Sequence, residues 1–299
     1  YGAKFGDEPL VVRQARARWG LERLASEHEF MQYLSSEGLC VPAPLTSKEG
    51  ATFVVVDGRA FAVYRWCRGE RFERGNLSHA RSGGRALARY HQLAARYPRT
   101  VVSAEDDFRK GFLAAAARTL DGFEQPVEAP DPELVAMCGY LRARLATLVG
   151  RMQGLDYEAL PVLTIHGDFR RANLLVGGDE VSAVLDFDRC RLEARVLDVA
   201  MGVSSLARGA DKREFLDTGL ARAFVSAYIE EGGLNEKELE ALPVLVEARV
   251  ALSAMTRAER FADVDPAELQ KRKRKLAKYT DRLRWLETND EWRKAVRGE

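Results

Sequence analysis

The stretch from Leu163 to Asp198, LTIHGDFRRANLLVGGDEVSAVLDFDRCRLEARVLD, constrains this chain more than any other. An apolar run, Leu163-Thr164-Ile165, leads into His166-Gly167-Asp168, and Asn173 follows five residues after that aspartate. Asn173 to Val176, a Gly177-Gly178-Asp179 turn and Val181 to Leu185 read as a short hairpin that ends at Asp186-Phe187-Asp188. A loop and a strand end joined in this way can bring carboxylate and amide oxygens to one point. Such an arrangement suits phosphoryl transfer, in which the protein positions reactants and neutralises charge. One carboxylate orients an attacking hydroxyl and accepts its proton. A second, with a side-chain amide oxygen, holds Mg²⁺, a hard cation that prefers oxygen ligands. Singly, an Asp or Asn in a loop is usually a turn former or cap. The ordered set of apolar strand, HxDxxxxN, hairpin, apolar strand and DxD makes chance a poor explanation.

Upstream the pattern is β-rich. Leu10 to Arg13 (LVVR) is a short apolar run, and Thr52 to Val56 and Ala60 to Trp66 flank Asp57-Gly58, a strong hairpin signal. Between them, Leu24, Phe30, Met31 and Leu34 recur at helical spacing across Glu22 to Ser36, and Gly38 stops the segment. From Asn76 onward the chain is mostly helical. An amphipathic run over 77–97 ends before Pro98, Asp131-Pro132 and Asp265-Pro266 read as N-cap plus first-turn proline, and Asn235 with Glu238 reads as a capping box. A polar, glycine-containing stretch from Cys67 to Asn76 separates the two regimes. The expectation is an α+β, two-lobed fold: a small β-rich nucleotide-binding lobe, 1–67, and a larger, mostly helical catalytic lobe, 68–299.

Composition narrows the function classes. With 299 residues and 46% hydrophobic content, the chain can bury a sizeable core. Lys and Arg number 46 against 45 Asp and Glu, a balance that argues against a dedicated nucleic-acid binder. The basic run Lys271 to Lys275 reads as a solvated helix face. Cys40, Cys67, Cys138 and Cys190 lack paired spacing, which suggests neither a zinc site nor a disulfide framework and fits the reducing cytoplasm. No stretch approaches the about 20 apolar residues of a membrane span, and no signal-peptide pattern is present.

These motifs resemble the aminoglycoside phosphotransferase and homoserine kinase type II superfamily, small-molecule relatives of the protein kinases. His166 to Asn173 is similar to its HGDxxxxN loop, Leu185 to Phe187 to its I-D-F/W segment, and Asp198 in RVLDVA to its D-L-A aspartate. Arg85 to His91 is similar to its L-x-x-L-H helix, and Val41 to Pro44 to its V-P-x-P connection. The resemblance implies a protein-kinase-like fold, ATP or GTP with Mg²⁺ as cofactors, and a small-molecule hydroxyl as acceptor, such as an aminoglycoside, amino alcohol, sugar or homoserine. It also implies Asp168 as catalytic base, Asn173 and Asp186 as Mg²⁺ ligands, and His166 and Asp198 as supports of the catalytic loop. Arg170 stands where protein kinases place a Lys; it is either a γ-phosphate contact or a solvent-facing cation like Arg171.

On the nucleotide side, this fold needs a cation at the phosphates and a helix acid to hold it. Arg13 stands where the kinases carry Lys, and Glu27 in SEHEFMQYL falls in the family's E-x-x-x-L-x-x-L register, with Glu29 as the competing partner. Placing Gly69 on the family's hinge glycine puts the Arg65 carbonyl and the Cys67 N–H at the adenine edge. No GxGxxG precedes Arg13, so the first strands of the small lobe are expected upstream of Tyr1. No GxxxxGK[ST] occurs, which excludes a P-loop enzyme. Arg13 and the missing phosphate loop keep open a kinase-shaped nucleotide-binding scaffold without turnover. A stress-type Ser/Thr protein kinase is a further alternative, against which HGD in place of HRD and the lack of A-P-E weigh. Beyond Asp198, acids (Asp211, Glu214, Asp217, Glu230, Glu231) and bases (Arg249, Arg257, Arg260) are mixed and do not choose the acceptor. Nothing in the sequence indicates an oligomeric state.

Overall fold

A computed structural model describes residues 2–5, 8–16, 20–102, 107–122, 131–211, 214–258 and 266–298. Strands β1 (Gly2–Phe5), β2 (Glu8–Gln14), β3 (Val54–Val56) and β4 (Arg59–Arg65) form an antiparallel sheet in the order β1-β2-β4-β3. The β3–β4 hairpin turns on Asp57 and Gly58, both at positive φ (48° and 71°), the left-handed pair that a two-residue turn between twisted strands requires. The β2–β4 register runs from Leu10 opposite Arg65 to Gln14 opposite Phe61 and sets Arg13 across from Ala62. Helix α1 (Leu21–Ser36) buries Leu24, Glu27, His28, Phe30, Met31 and Leu34, the single face that helical spacing selects.

Beyond β4 the chain crosses into a predominantly helical lobe. Strand β5 (Glu70–Arg71) is its first element. Helix α2 (Leu77–Arg96) starts at Asn76, whose side chain accepts the His79 N–H. Then come α3 (Phe108–Gly122) and α4 (Pro132–Gln153), the latter capped by Asp131 through the N–H groups of Glu133 and Leu134. Four short strands follow: β6 (Val162–Ile165), β7 (Leu174–Gly177), β8 (Glu180–Val184) and β9 (Arg191–Ala194). They make a β5-β7-β8 sheet and a separate β6-β9 ribbon. The helices α5 (Val196–Leu206), α6 (Thr218–Gly232), α7 (Glu236–Ala258), α8 (Pro266–Thr288) and α9 (Glu291–Arg297) complete the lobe. Asn235 and Glu238 exchange two hydrogen bonds, the expected capping box. The cap read at Asp265 lies outside the described residues.

Tyr90, Phe112, Phe169, Phe187, Phe224 and Trp292 are fully buried and anchor a continuous core from α2 through α9. Truncating one such aromatic to Ala costs about 3–5 kcal/mol through lost burial and the cavity left behind. In the same core Glu247, completely buried, is met by Arg144, Arg151 and Arg293. The basic run is a solvated face only in part: Lys271, Arg274 and Lys275 are exposed, whereas Arg272 bonds Glu268 and Lys273 is drawn down onto Asp131 and Glu133 at the start of α4. No described helix is long and apolar enough to cross a membrane.

Candidate active site

Strand β6 delivers the chain into the loop that begins at His166. Gly167 sits at φ 74°, and a Cβ there would lie 2.2 Å from the Arg189 carbonyl oxygen, so glycine is required. The loop is held from below by Asp198 in the first turn of α5. Its carboxylate accepts the N–H of His166 at 2.6 Å and of Gly167 at 2.9 Å. His91 of α2, bonded to the Tyr228 hydroxyl at 2.8 Å, reaches the same carboxylate at 3.4 Å. Burial opposes charge on Asp198, yet the bonds from His91 and from the His166 backbone hold its carboxyl below the usual carboxylate range. Burial lowers His91 and favours its neutral ring. His166 Nδ1 accepts the Asp168 N–H at 3.2 Å, so by the hydrogen-bond network Nε2 carries the proton and donates to the Leu185 carbonyl at 2.9 Å. One imidazole thus ties the loop to the strand end that carries Asp186.

Asn173 makes the second tie. Its Nδ2 donates to the Asp168 carbonyl at 2.9 Å and to Asp168 Oδ2 at 3.1 Å, while its own carbonyl accepts the Leu185 N–H at 2.8 Å. With Nδ2 committed to Asp168, Oδ1 is the remaining polar atom of the amide. Asp186 follows Leu185 at φ 65°, a left-handed conformation that costs a non-glycine residue about 1–3 kcal/mol and clusters at functional sites. The structure thus ties Asp168 to Asn173 through side-chain bonds and ties Asn173, through the backbone, to Leu185 just before Asp186. Among the described residues no three His, Cys, Asp or Glu side chains are grouped to hold a metal. Asn173 Oδ1 and the Asp186 carboxylate are oxygen donors of the kind that suits Mg²⁺, which takes one or two protein oxygens and completes its shell with phosphate and water. The guanidinium of Arg13, 3.4 Å from Asp186, marks where positive charge is drawn.

The partner of Arg13 differs from the expectation. Its Nη2 donates to Asp188 at 2.7 Å as well as to Asp186, and Arg16 Nε adds a second cation on Asp188 at 2.8 Å. Arg23 donates to the Asp188 carbonyl at 2.9 Å. Glu27, the helix acid expected to hold Arg13, makes no hydrogen bond to it, and Glu29 pairs with Arg99 on the surface at 2.6 Å. The physical reason lies in the charge balance. Burial and the neighbouring Asp188 raise Glu27 to about 7 against the pull of Arg13 and Arg23, so near neutrality it is a half-protonated acid competing with two carboxylates. Asp188, Arg16 and Arg23 were not singled out from sequence; the only signal was the second aspartate of DxD. Arg170 Nε bonds Asp168 Oδ2 at 2.8 Å with the side chain 45% exposed, so it neutralises Asp168 while remaining open to solvent.

A cavity of about 290 Å³ opens beside these groups. Val11, Met31 and Tyr64 line it on the sheet side, Leu175 and Leu185 on the helical side, with Arg65, Trp66, Cys67 and Gly69 at the connection and Arg13, Glu27 and Asp186 at its polar end. The two residues read as adenine-facing from sequence, Arg65 and Cys67, both border it. The Cys67 thiol is pushed up to about 12 by burial and by the adjoining Cys40 thiol. Tyr64 bonds His28 Nε2 at 2.8 Å, and Nδ1 of the same ring meets Thr52 at 2.8 Å. Burial and Arg13 hold His28 down at about 4, so it braces this wall as a neutral ring.

A small antiparallel sheet and a larger helical lobe, with an apolar cavity, an aspartate-bearing loop and an amide–acid pair side by side, define a two-lobed, protein-kinase-like phosphotransferase. Phosphoryl transfer to a hydroxyl group is the chemistry of this class. The chain belongs to the phosphotransferase enzyme family (APH), which it matches over residues 3–239. It is 29% identical over 255 residues to a homoserine kinase of Bradyrhizobium sp. (strain BTAi1), covering 85% of this chain and 73% of that one. Among solved structures it is similar to a microcompartment-associated aminopropanol kinase (TM-score 0.71, 20% identity, 95% of this chain and 90% of that one). It is also similar to an amicoumacin kinase in complex with AMP-PNP, Ca²⁺ and Ami (TM-score 0.66, 18% identity, 92% of this chain and 82% of that one).

Proposed function

We propose that this protein moves the γ-phosphoryl group of Mg·ATP to the hydroxyl of a small molecule, with Asp168 as the catalytic base. The observation that carries this reading is the position of Asn173, bonded to Asp168 on one side and to the Leu185 backbone, next to Asp186, on the other. Asp168, its Oδ2 fixed by Asn173 Nδ2 and Arg170 Nε, orients the acceptor hydroxyl with its carboxylate and takes the proton as the new O–P bond forms. Asn173 Oδ1 and Asp186 hold Mg²⁺, which when bound neutralises charge on the β- and γ-phosphates. Arg13 supplies fixed positive charge at the phosphate end of the cavity, held by Asp188 when Asp186 is engaged, with Glu27 a further acid lining that end. The Arg65 carbonyl and Cys67 N–H meet the adenine edge. His166 and Asp198 hold the loop without touching substrate.

The bound AMP-PNP and Ca²⁺ of the amicoumacin kinase support a nucleotide and a divalent ion. The homoserine and aminopropanol kinases support a small hydroxyl acceptor. We place the lobe boundary at residue 67, since β5, immediately beyond, pairs with β7 of the helical lobe. We assign the protein's action to the cytoplasm, in keeping with four cysteines that lack paired spacing. The test is a transfer screen with labelled ATP, then GTP, over aminoglycosides, amino alcohols, sugars and homoserine, with and without Mg²⁺. At least one acceptor should be labelled, only with the metal present. Tight nucleotide binding with no labelled acceptor would overturn the reading and leave a scaffold.

A further inference from the structure

Around α5, α7 and α8, near the catalytic loop, stand cations that pair with no carboxylate among the described residues. Arg249 of α7 has Met201 Sδ as its near polar neighbour, at 3.1 Å from Nη2, and the Phe108 ring at 5.9 Å. Burial lowers its pKa to about 10; the field of Asp198 and Asp168 opposes that fall, while Arg191 and Arg189 add to it. Met201 lies on α5. One turn further along, Ser205 accepts the Arg171 N–H and so pins the catalytic loop to this helix.

Just past the end of α5 stands Arg208, bonded to the Ser204 carbonyl at 2.9 Å with its guanidinium 4.9 Å from the Phe215 ring. Arg282 of α8 approaches the same ring to 5.2 Å and Tyr279 to 4.9 Å, and Arg257 approaches Tyr279 to 4.4 Å. Three guanidiniums and two aromatic rings thus alternate in one half-buried file. Arg74 and Arg171 add to the positive field on Arg208. Among the described residues, none of Arg208, Arg249, Arg257 and Arg282 forms an ion pair with a carboxylate. The contrast with the rest of the lobe is sharp: Arg144, Arg151 and Arg293 converge on Glu247, and Arg195 on Glu238. Rings offset only part of the repulsion among clustered cations. What such a file lacks is an anion.

We propose that the acceptor carries an anionic group (carboxylate, phosphate or sulfate) besides the hydroxyl that is phosphorylated, and that Arg208 and Arg282 seat it while Arg249 lies nearest the base. This rests on the kinase reading above and names the substrate class of that site. The step is unchanged: the acceptor oxygen bonds to the γ-phosphorus, the bridging bond to ADP breaks, and the hydroxyl proton passes to Asp168. A polyamine acceptor would set ammonium groups against the guanidiniums and is selected against.

The test compares acceptors of one three-carbon skeleton: glycerol, glycerate, glycerol 3-phosphate, glycerol sulfate and 3-amino-1,2-propanediol. An anionic member should exceed glycerol in kcat/KM by about 30-fold, with the amine poorest. Which anion leads identifies the source of the charge. Arg208→Gln and Arg282→Gln should each raise the anionic KM by about 10-fold with kcat held within about 3-fold, the signature of lost ground-state binding. Arg284→Gln, an exposed neighbour on the same helix paired with Asp281, should change nothing. Calorimetry of the same anions with nucleotide-free protein reads the seat without turnover. Anions that bind, but not to Arg282→Gln, in a protein that transfers to nothing would retain the seat and sink the kinase reading. Transfer with no anionic preference, or an anionic KM untouched by either substitution, overturns the proposal.

Discussion

Asn173 and Asp168 share a two-point contact, with one amide nitrogen donating to both the carbonyl and the carboxylate of the aspartate at 2.9 and 3.1 Å. In the proposed mechanism the same side chain fixes the base and, through Oδ1, holds the metal. Asn173→Ala removes both duties. The expected outcome is a fall in kcat of about 10²–10³, on the scale of losing a positioned catalytic hydrogen bond. The Mg²⁺ concentration needed for half-maximal activity should rise with it. Titrating activity against free Mg²⁺ at saturating ATP checks both.

Asp198 is 1% exposed and receives two backbone N–H groups of the loop. Asp198→Ala leaves these donors buried without an acceptor and is expected to cost about 3 kcal/mol in urea unfolding. Its carboxyl is held below the ordinary range, so its contribution is present at neutral pH and disappears as pH falls through the folded value. Asp198→Asn should therefore flatten the acid limb of the stability curve while keeping one of the two acceptors.

Glu27 titrates the opposite way. Its carboxyl rises from 4.5 to about 7 on folding, chiefly through burial, with Asp188 and Asp186 pushing up and Arg13 and Arg23 pulling down. The folded chain holds this proton more tightly, so the stabilisation is complete below the ordinary value and is lost as pH rises through about 7, with a span of about 3 kcal/mol. Thermal unfolding of the nucleotide-free protein from pH 5 to 9 should show that loss. Glu27→Gln should remove it and raise Tm at pH 8. A wild-type curve parallel to that of the variant contradicts the assignment.

Much of this site was legible because its signals are local. The Asp57-Gly58 turn, the apolar face of α1 and the HGD-to-DFD segment each sit within a few turns or one hairpin of chain, where periodicity and turn chemistry act. The partner of Arg13 was not legible. Its carboxylates are 173 and 175 residues away, and the choice between them and Glu27 depends on how deeply each acid is buried. Strand β1 escaped notice because Gly2–Phe5 has too few residues to show alternation, and its pairing with β2 defines it. Nor did any single arginine in the Arg208–Phe215–Arg282 file stand out; the file exists only when α5, α7 and α8 pack together.

The role of Asp168 is tested most directly by single-turnover transfer from labelled Mg·ATP to a responsive acceptor, with nucleotide affinity measured in parallel, for the native chain and Asp168→Asn. The substitution keeps the size of the side chain and removes the proton acceptor. A rate lower by about 10³ or more, with nucleotide affinity within about 3-fold, is the expected result. Transfer within about 10-fold of the native rate would contradict Asp168 as the base and the convergence built around it.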